Sequence, residues 1–227
     1  MKYVSHKKMN ACRYVSISGA GTKGIVFTGA LEALETWMDD YESWRNTLWG
    51  ISGTSAGAIL GLFLLLGTSN DIRTKYTHIV SNMDELLAHP DVSLLMSEFG
   101  WESGDTFRDI IRDILKDSGL SPECTMGDLK KLLRKEFVCV GTDLTKSMPM
   151  VFSSTDTPQI HVCDAIYMSC SVPFVFKPIK HNGNLIVDGC LTCNLPQLFP
   201  EDETAFWYLS GPQKSLPIHS WPKFIEN

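Results

Sequence analysis

In the stretch GISGTSAGAILG, Gly50 to Gly61, a single serine, Ser55, sits between glycines two residues to either side, with an apolar run behind it. A serine hydroxyl is well placed as a nucleophile when a sharp strand-to-helix turn lifts it clear of the backbone. Such a turn crowds the positions two before and two after the serine, and Gly53 and Gly57 leave out the side chains that would collide there. A helix beginning at Ala56 would also aim its free N–H groups and positive dipole end at negative charge developing beside Ser55. The chemistry is acyl transfer through a covalent serine intermediate. The plainer reading of the same residues is a tight turn before a buried helix.

Two further stretches carry chemical potential. In SGAGTKG, Ser18 to Gly24, the glycines Gly19, Gly21 and Gly24 match the spacing G-x-G-x-x-G. That spacing is also the dinucleotide fingerprint, which wants an acidic residue at the end of the next strand to hold a ribose. The next strand, within TLWGIS, ends in the serine turn without a carboxylate, and Ile25 follows Gly24 where a phosphate-binding P-loop needs lysine. What remains is a nest of backbone N–H groups, which serves equally well as an oxyanion hole for an ester transition state. In IVDGC, Asp188 follows an apolar strand directly, so its side chain can reach the crevice at the carboxyl end of a sheet, although Asp-Gly after a strand is also a common turn.

These residues need a scaffold of strands that end where the chemistry is. Arg13 to Ser18 has strand character, and after the glycine loop Ile25, Ala30, Leu31, Leu34 and Trp37 recur at helical spacing. A second strand, Thr47 to Ser52, leads into the serine turn and the apolar helix Ala56 to Leu66, so the first part of the chain reads as a βαβα unit on a parallel sheet. From Asp71 to Glu136 the pattern is helical, with a helix capped by Asp105, buried through Phe107, Ile110, Ile111 and Ile114, and closed by Gly119. Strands are expected at Phe137–Gly141, Met150–Ser153, Leu185–Val187 and Ala205–Leu209, with a helix around Cys163–Cys170. No repeat or linker divides the chain. One domain over residues 13–210 is expected, with an N-terminal tail at 1–12 and an irregular, proline-containing tail at 211–227.

The composition, 44% hydrophobic and 20% charged over 227 residues, is that of a folded domain with a proper core. A net charge of -6 offers no field for nucleic acid, and the N-terminal cluster Lys2, Lys7, Lys8 and Arg13 reads as a solvated tail. Ala56 to Leu66, the longest apolar stretch, is too short to span a bilayer, and the N-terminus lacks the apolar centre of a signal peptide, so a cytoplasmic or membrane-peripheral location is expected. Seven cysteines cannot all pair within one chain, and reduced thiols are expected. CLTC, Cys190 to Cys193, has ligand spacing but no second pair, so it reads as free thiols and no metal is expected.

Taken in order, the glycine loop, GTSAG, the segment SCSVPFVFKPI from Ser169 to Ile179, and Asp188-Gly189 resemble the patatin-like phospholipase family over roughly Tyr14 to Ser210. The resemblance implies a three-layer α/β/α fold with a mostly parallel central sheet, related to that of cytosolic phospholipase A2. It implies Ser55 as nucleophile, Asp188 as its base with no catalytic histidine, and an oxyanion hole from the backbone N–H groups of Gly19, Ala20, Gly21 and Ala56. Lys23 and Gly24 complete the loop motif, and Gly189 completes the aspartate motif. The implied substrates are acyl esters of glycerophospholipids, with lysophospholipids and neutral glycerides as near alternatives. They would be met at a membrane surface, with no cofactor.

A carboxylate at its ordinary pKa near 4 is a feeble base toward serine, so Asp188 must be desolvated and its pKa raised; the apolar NLIV before it suggests that burial. A Ser-Asp-His enzyme would want a histidine after its acid, and only His219, in the tail, follows Asp188. Two residues depart from the family pattern. Ala20 replaces a middle glycine, and Cys190 stands where glycine or alanine is usual. If position 190 requires a positive φ, cysteine is strained and Asp188 is misoriented, which raises the alternative of a lipid-binding protein with little or no turnover.

Overall fold

The computed structural model describes residues 11–38, 40–67, 74, 76–79, 97 and 99–209. The N-terminal tail up to residue 10, much of 68–98, and the tail from 210, which holds His219, lie outside the described residues.

Strand β1, Tyr14–Ile17, leads through a 3-10 turn at Gly21–Gly24 into helix α1, Ile25–Trp37, and helix α2, Tyr41–Thr47. Strand β2, Gly50–Thr54, and helix α3, Ala56–Leu66, follow; the short β3, Gly100–Glu102, precedes helices α4, Asp105–Asp117, and α5, Met126–Leu133. The last part holds β4, Glu136–Asp143, β5, Met148–Phe152, helix α6, Val162–Cys170, β6, Phe174–Phe176, β7, Ile179–His181, β8, Asn184–Asp188, and β9, Thr204–Trp207.

Some boundaries differ from expectation for physical reasons. β2 starts at Gly50, not Thr47, because Tyr41–Thr47 forms α2, where Asp40 caps by accepting the Ser43 N–H at 2.9 Å and Tyr41 and Trp44 anchor the inner face. Helix α1 buries Phe27, Thr28 and Leu31 and leaves Trp37 exposed, so its inner stripe is rotated from the one the spacing of Ile25, Ala30 and Trp37 suggested. Asp105 is the first residue of α4 and not its cap, since Gly104 takes the cap with φ 82°. Gly119 does follow that helix in the left-handed region, as a C-terminal glycine should.

A mixed, seven-stranded sheet flanked by helices organises the protein, with the pairing order β7-β8-β4-β2-β1-β9 and β5 attached to β4. β9, β1, β2 and β4 are mutually parallel, while β5 and β8 run antiparallel to β4. Helix α3 is apolar on every side and buried from Ala56 to Leu65, as a helix inside the core must be. It lies on β1, β2 and β4 with α6 beside it. Gly61 sets that approach, because a side chain there would press on Ile51 and the Phe137 ring at 3.0 and 3.5 Å. Leu60, Leu62 and Leu64 are wholly buried in this layer. Truncating any one to alanine costs about 2–5 kcal/mol.

The register explains how the ends of two distant strands meet. Gly141 pairs with both Met150 of β5 and Asp188 of β8, and Cys139 pairs with both Phe152 of β5 and Gly53 of β2, so β5 occupies one edge of β4 while β2 and β8 share the other. Along that shared edge β2 runs parallel and ends with Thr54 opposite Val140, while β8 arrives from the other direction and ends with Asp188 opposite Gly141. The strands therefore meet tip to tip, and the residues at their tips are Ser55 and Asp188.

Candidate active site

Ser55 is the turn between β2 and α3, with φ 54° and ψ -124°. For a residue other than glycine this backbone conformation costs on the order of 1–3 kcal/mol and persists only where the surroundings enforce it. The enforcement is visible. A side chain on Gly53 would run into the backbone of Gly57 and Ala58, and one on Gly57 would run into the carbonyls of Ile17 and Ser18. Both glycines are thus demanded by close backbone approach. The Ser55 N–H donates to the Ser169 hydroxyl at 3.0 Å, and that hydroxyl donates in turn to the Val140 carbonyl at 2.7 Å, which ties the turn to α6 and β4.

The Ser55 hydroxyl donates to Oδ2 of Asp188 at 2.7 Å, and both residues are buried. The second carboxylate oxygen, Oδ1, accepts the Cys190 N–H at 2.8 Å. The backbone of Asp188 is fixed from two sides: its N–H donates to the Ser171 carbonyl at 2.8 Å, and its own carbonyl accepts the Thr142 hydroxyl at 2.9 Å. Burial pushes the Asp188 carboxyl above the usual carboxylate range, and hydrogen bonds from Ser55 and Cys190 pull part of the way back. A carboxylate raised in this way, bonded to a serine hydroxyl, can accept the serine's proton as the oxygen attacks a carbonyl.

The glycine loop lies across from this pair. Gly19 packs so closely that a side chain on it would strike the Cys190 thiol and stand 3.3 Å from Cβ of Ser55. Its N–H, however, donates to the Asn194 carbonyl at 2.9 Å, so Gly19 supports the loop and has no donor left for an oxyanion. Ala20, Gly21 and Ala56 head helical turns and have N–H groups without an acceptor among the described residues. Gly21 takes φ 56° with open space around it, and Gly24 sits against the Tyr76 hydroxyl and Ala56, where a side chain would not fit. The Ser18 hydroxyl at the loop's start is wholly buried without a partner among the described residues.

The family profile for patatin-like phospholipases matches residues 15–199. The chain belongs to the patatin-like phospholipase family. It is 32% identical over 191 residues to the uncharacterised protein R571 of Acanthamoeba polyphaga mimivirus, covering 83% of this chain and 61% of that protein. To the uncharacterised protein YqhO of Bacillus subtilis it is 30% identical over 199 residues, covering 79% of this chain and 63% of the other. A third relative, named probable lipid hydrolase 463L, of Invertebrate iridescent virus 6, is 24% identical over 185 residues, covering 79% and 60% respectively. The chain thus spans less than two thirds of the length of each. Among solved structures, VipD from Legionella pneumophila superposes with a TM-score of 0.58 at 19% identity, over 86% of this chain and 49% of VipD, a likeness of fold.

Against the patatin-like pattern, the departure at Cys190 resolves without strain. Cys190 lies in a 3-10 turn, Gly189–Leu191, and is not among the non-glycine residues with positive φ, so the feared misorientation of Asp188 does not arise. The residue is exposed as a whole, yet its thiol turns inward onto Gly19 and Asp188, where burial and the carboxylate push its pKa upward. Gly189 is demanded by the Val140 carbonyl and Cγ2 of Thr54, which leave no room for a side chain. Lys23 is exposed beside the loop.

Other residues that sequence reasoning did not single out complete the frame. Ser169 and Ser171 flank Cys170 at the end of α6, one holding the turn at Ser55 and the other the Asp188 amide. Their signal lay in the small residues of SCSVP, which were read as a family segment and not as individual supports. Asn194 and Cys193 hold the loop and β2 through their carbonyls, Cys193 by accepting the Thr54 hydroxyl at 2.9 Å. All seven cysteines are free thiols, and no group of three or more potential ligands that could hold a metal occurs among the described residues. His161 lies with Glu123 and Asp164, away from the pair. A cavity of about 440 Å³, lined by Tyr14, Trp49, Glu136, Val138, Val151 and Phe199, opens at the opposite, amino end of the parallel strands. It touches neither Ser55 nor Asp188, so geometry and not cavity volume locates the site.

Proposed function

We propose that this chain is a lipid acyl hydrolase of phospholipase A type that cleaves carboxylic esters of glycerophospholipids through an acyl-enzyme on Ser55. The observation that carries the reading is the 2.7 Å hydrogen bond from the Ser55 hydroxyl, held in a strained strand-to-helix turn, to the buried and raised carboxylate of Asp188. Membership of the patatin-like phospholipase family and the relative named probable lipid hydrolase support the lipid substrate class.

In the first half-reaction Asp188 Oδ2 takes the Ser55 proton as Oγ bonds to the ester carbonyl carbon, and the carbonyl π electrons move to its oxygen. The oxyanion is met by the N–H groups of Ala20, Gly21 and Ala56, aided by the amino-terminal end of α3. Collapse of this intermediate breaks the bond to the alcohol oxygen, which leaves with the proton from Asp188. In the second half-reaction Asp188 removes a proton from water as it attacks the acyl-enzyme, then returns that proton to Ser55 Oγ as the fatty acid departs. One carboxylate performs both transfers, which requires a pKa high enough to accept a proton and low enough to be ionised at working pH.

Fatty-acid release from phosphatidylcholine vesicles, with chelator present and a Ser55→Ala control, tests the reading. Release that disappears in the control supports it. Release of fatty acid from lysophosphatidylcholine or diacylglycerol, but not from phosphatidylcholine, would move the substrate to those neighbours. A folded protein that releases nothing from any of them is instead a binding protein.

A further inference from the structure

The exposed apolar side chains are not scattered evenly around the site. Each of the three segments that build it runs on into one: Val26 after the glycine loop, Phe174 after Ser171, and Leu191 after Asp188 and Gly189, exposed by 57%, 66% and 57%. Phe174 is held there with φ 69°, a conformation that bulky L residues rarely adopt. An outlier of this kind, enforced by its pairing with Gly100 of β3, holds the ring outward at a conformational cost, and such strain gathers where function needs it. Past the carboxyl ends of the parallel strands, the β4–β5 and β7–β8 hairpins add exposed Leu144 and Leu185, joined by a bond from the Leu144 N–H to the Leu185 carbonyl at 2.8 Å.

Charge follows the same division. The protein has 26 acidic and 20 basic residues, yet the short segments that carry these exposed side chains, residues 19–26, 144–149, 171–185 and 189–192, contain no Asp or Glu. They carry Lys23, Lys146, Lys177 and Lys180. Of these, Lys146 reaches back to the buried Asp143 carboxylate at 3.6 Å, while Lys23 and Lys180 are exposed. An apolar fringe studded with cations, on a protein whose net charge is -6, matches a surface with an apolar interior and anionic headgroups.

We propose that the rim around Ser55 is a docking surface for an anionic lipid bilayer, in which Val26, Phe174 and Leu191 enter the interface while Lys23 and Lys180 meet the headgroups. This deepens the hydrolase reading and rests on it only for what the docked site does next. The surface brings the mouth of the site flush with the bilayer, so an ester passes to Ser55 without crossing water. It also lets a protein of net negative charge approach an anionic membrane in one orientation, with its acidic remainder turned away.

Partition of the Ser55→Ala protein onto vesicles of phosphatidylcholine, with and without phosphatidylserine, tests this independently of turnover. The parent is expected to bind the anionic vesicles more tightly and to lose that advantage at high salt. Phe174→Ser weakens binding to both vesicles by on the order of tenfold. Lys180→Glu weakens binding on the order of tenfold on the anionic vesicles alone. Leu132→Ser, a similarly exposed residue on α5 near the start of β4, is the control and leaves partition unchanged. The inference is overturned if the parent does not partition, if Phe174→Ser binds like the parent, or if Leu132→Ser loses as much. A protein that partitions as expected yet releases no fatty acid contradicts the hydrolase reading alone. One that hydrolyses a soluble ester but does not partition contradicts the docking surface alone.

Discussion

The two ends of the same sheet are built differently. At the amino end, aromatic and charged side chains satisfy one another. Tyr14 stacks on Phe199 with centroids 4.5 Å apart, Arg13 lies over the Trp49 ring, and the Glu136 carboxylate takes both Lys130 at 3.2 Å and the Ser154 hydroxyl at 2.8 Å. At the carboxyl end the opposite holds: a serine in a disfavoured conformation, a carboxyl whose pKa burial raises, and, among the described residues, a buried Ser18 hydroxyl without a partner and N–H groups at two helical turns left open. The amino end holds a cavity of about 440 Å³, whereas the carboxyl end holds unmet hydrogen-bonding capacity and strain. Relaxed, mutually satisfied groups stabilise a fold, whereas groups held in an unsatisfied state are what a transition state can complete.

Substitutions at the carboxyl end should therefore change rate far more than stability. The largest effect is expected from Ser55→Ala, a loss of fatty-acid release on the order of 10⁶-fold in an otherwise folded protein. Asp188→Asn should lower kcat by about 10²–10⁴-fold while raising Tm at neutral pH. The sign follows from burial. Because the folded pKa of Asp188 is raised, the folded state holds the proton more tightly than the unfolded chain. The stability contribution of this group is present below the ordinary carboxylate pKa and is lost as pH rises through the raised value. The gain from asparagine should shrink in acid, which paired melting curves across pH would reveal.

Gly57→Ala sits between the two behaviours. The new methyl presses on the Ile17 and Ser18 carbonyls, costs about 1–3 kcal/mol, and moves the glycine loop relative to the serine, so Tm and rate should fall together. At the amino end Glu136→Gln should cost about 1 kcal/mol in denaturant unfolding and leave hydrolysis of a soluble ester unchanged. A marked loss of rate there would break the contrast between the ends. The smallest effect is expected from Cys190→Ala. Loss of the thiol's hydrogen bond to Asp188 moves the acid limb of the pH–rate profile upward and alters the optimal rate by less than about tenfold.

The sequence carries the local parts of this site and not their meeting. Gly53 and Gly57 were legible because a nucleophile turn makes the same steric demand wherever it occurs, and Asp188 because an apolar strand ends on it. That β2 and β8 abut on one edge of β4 is a matter of register between residues many tens of positions apart, and no local periodicity encodes it. Helix α2 was missed because seven residues, YESWRNT, are too few to establish a helical period, and Tyr41 and Trp44 hold it by burial instead. The strands β3, β6 and β7 have three residues each and were unreadable for the same reason. Gly19 was read as an oxyanion donor from its place in the loop, and only the fold reveals that Asn194 already takes its N–H.

The central claim is that Ser55 is a nucleophile activated by Asp188. The most direct measurement is the rate of fluorophosphonate labelling as a function of pH, read by intact mass and peptide mapping, in the parent, Ser55→Ala and Asp188→Asn proteins. The account predicts one phosphonyl group on Ser55, a parent labelling rate that rises through a pKa above the usual carboxylate range, and slow, flatter labelling of Asp188→Asn across that interval. Labelling at another residue, or parent and Asp188→Asn profiles that coincide, would contradict it.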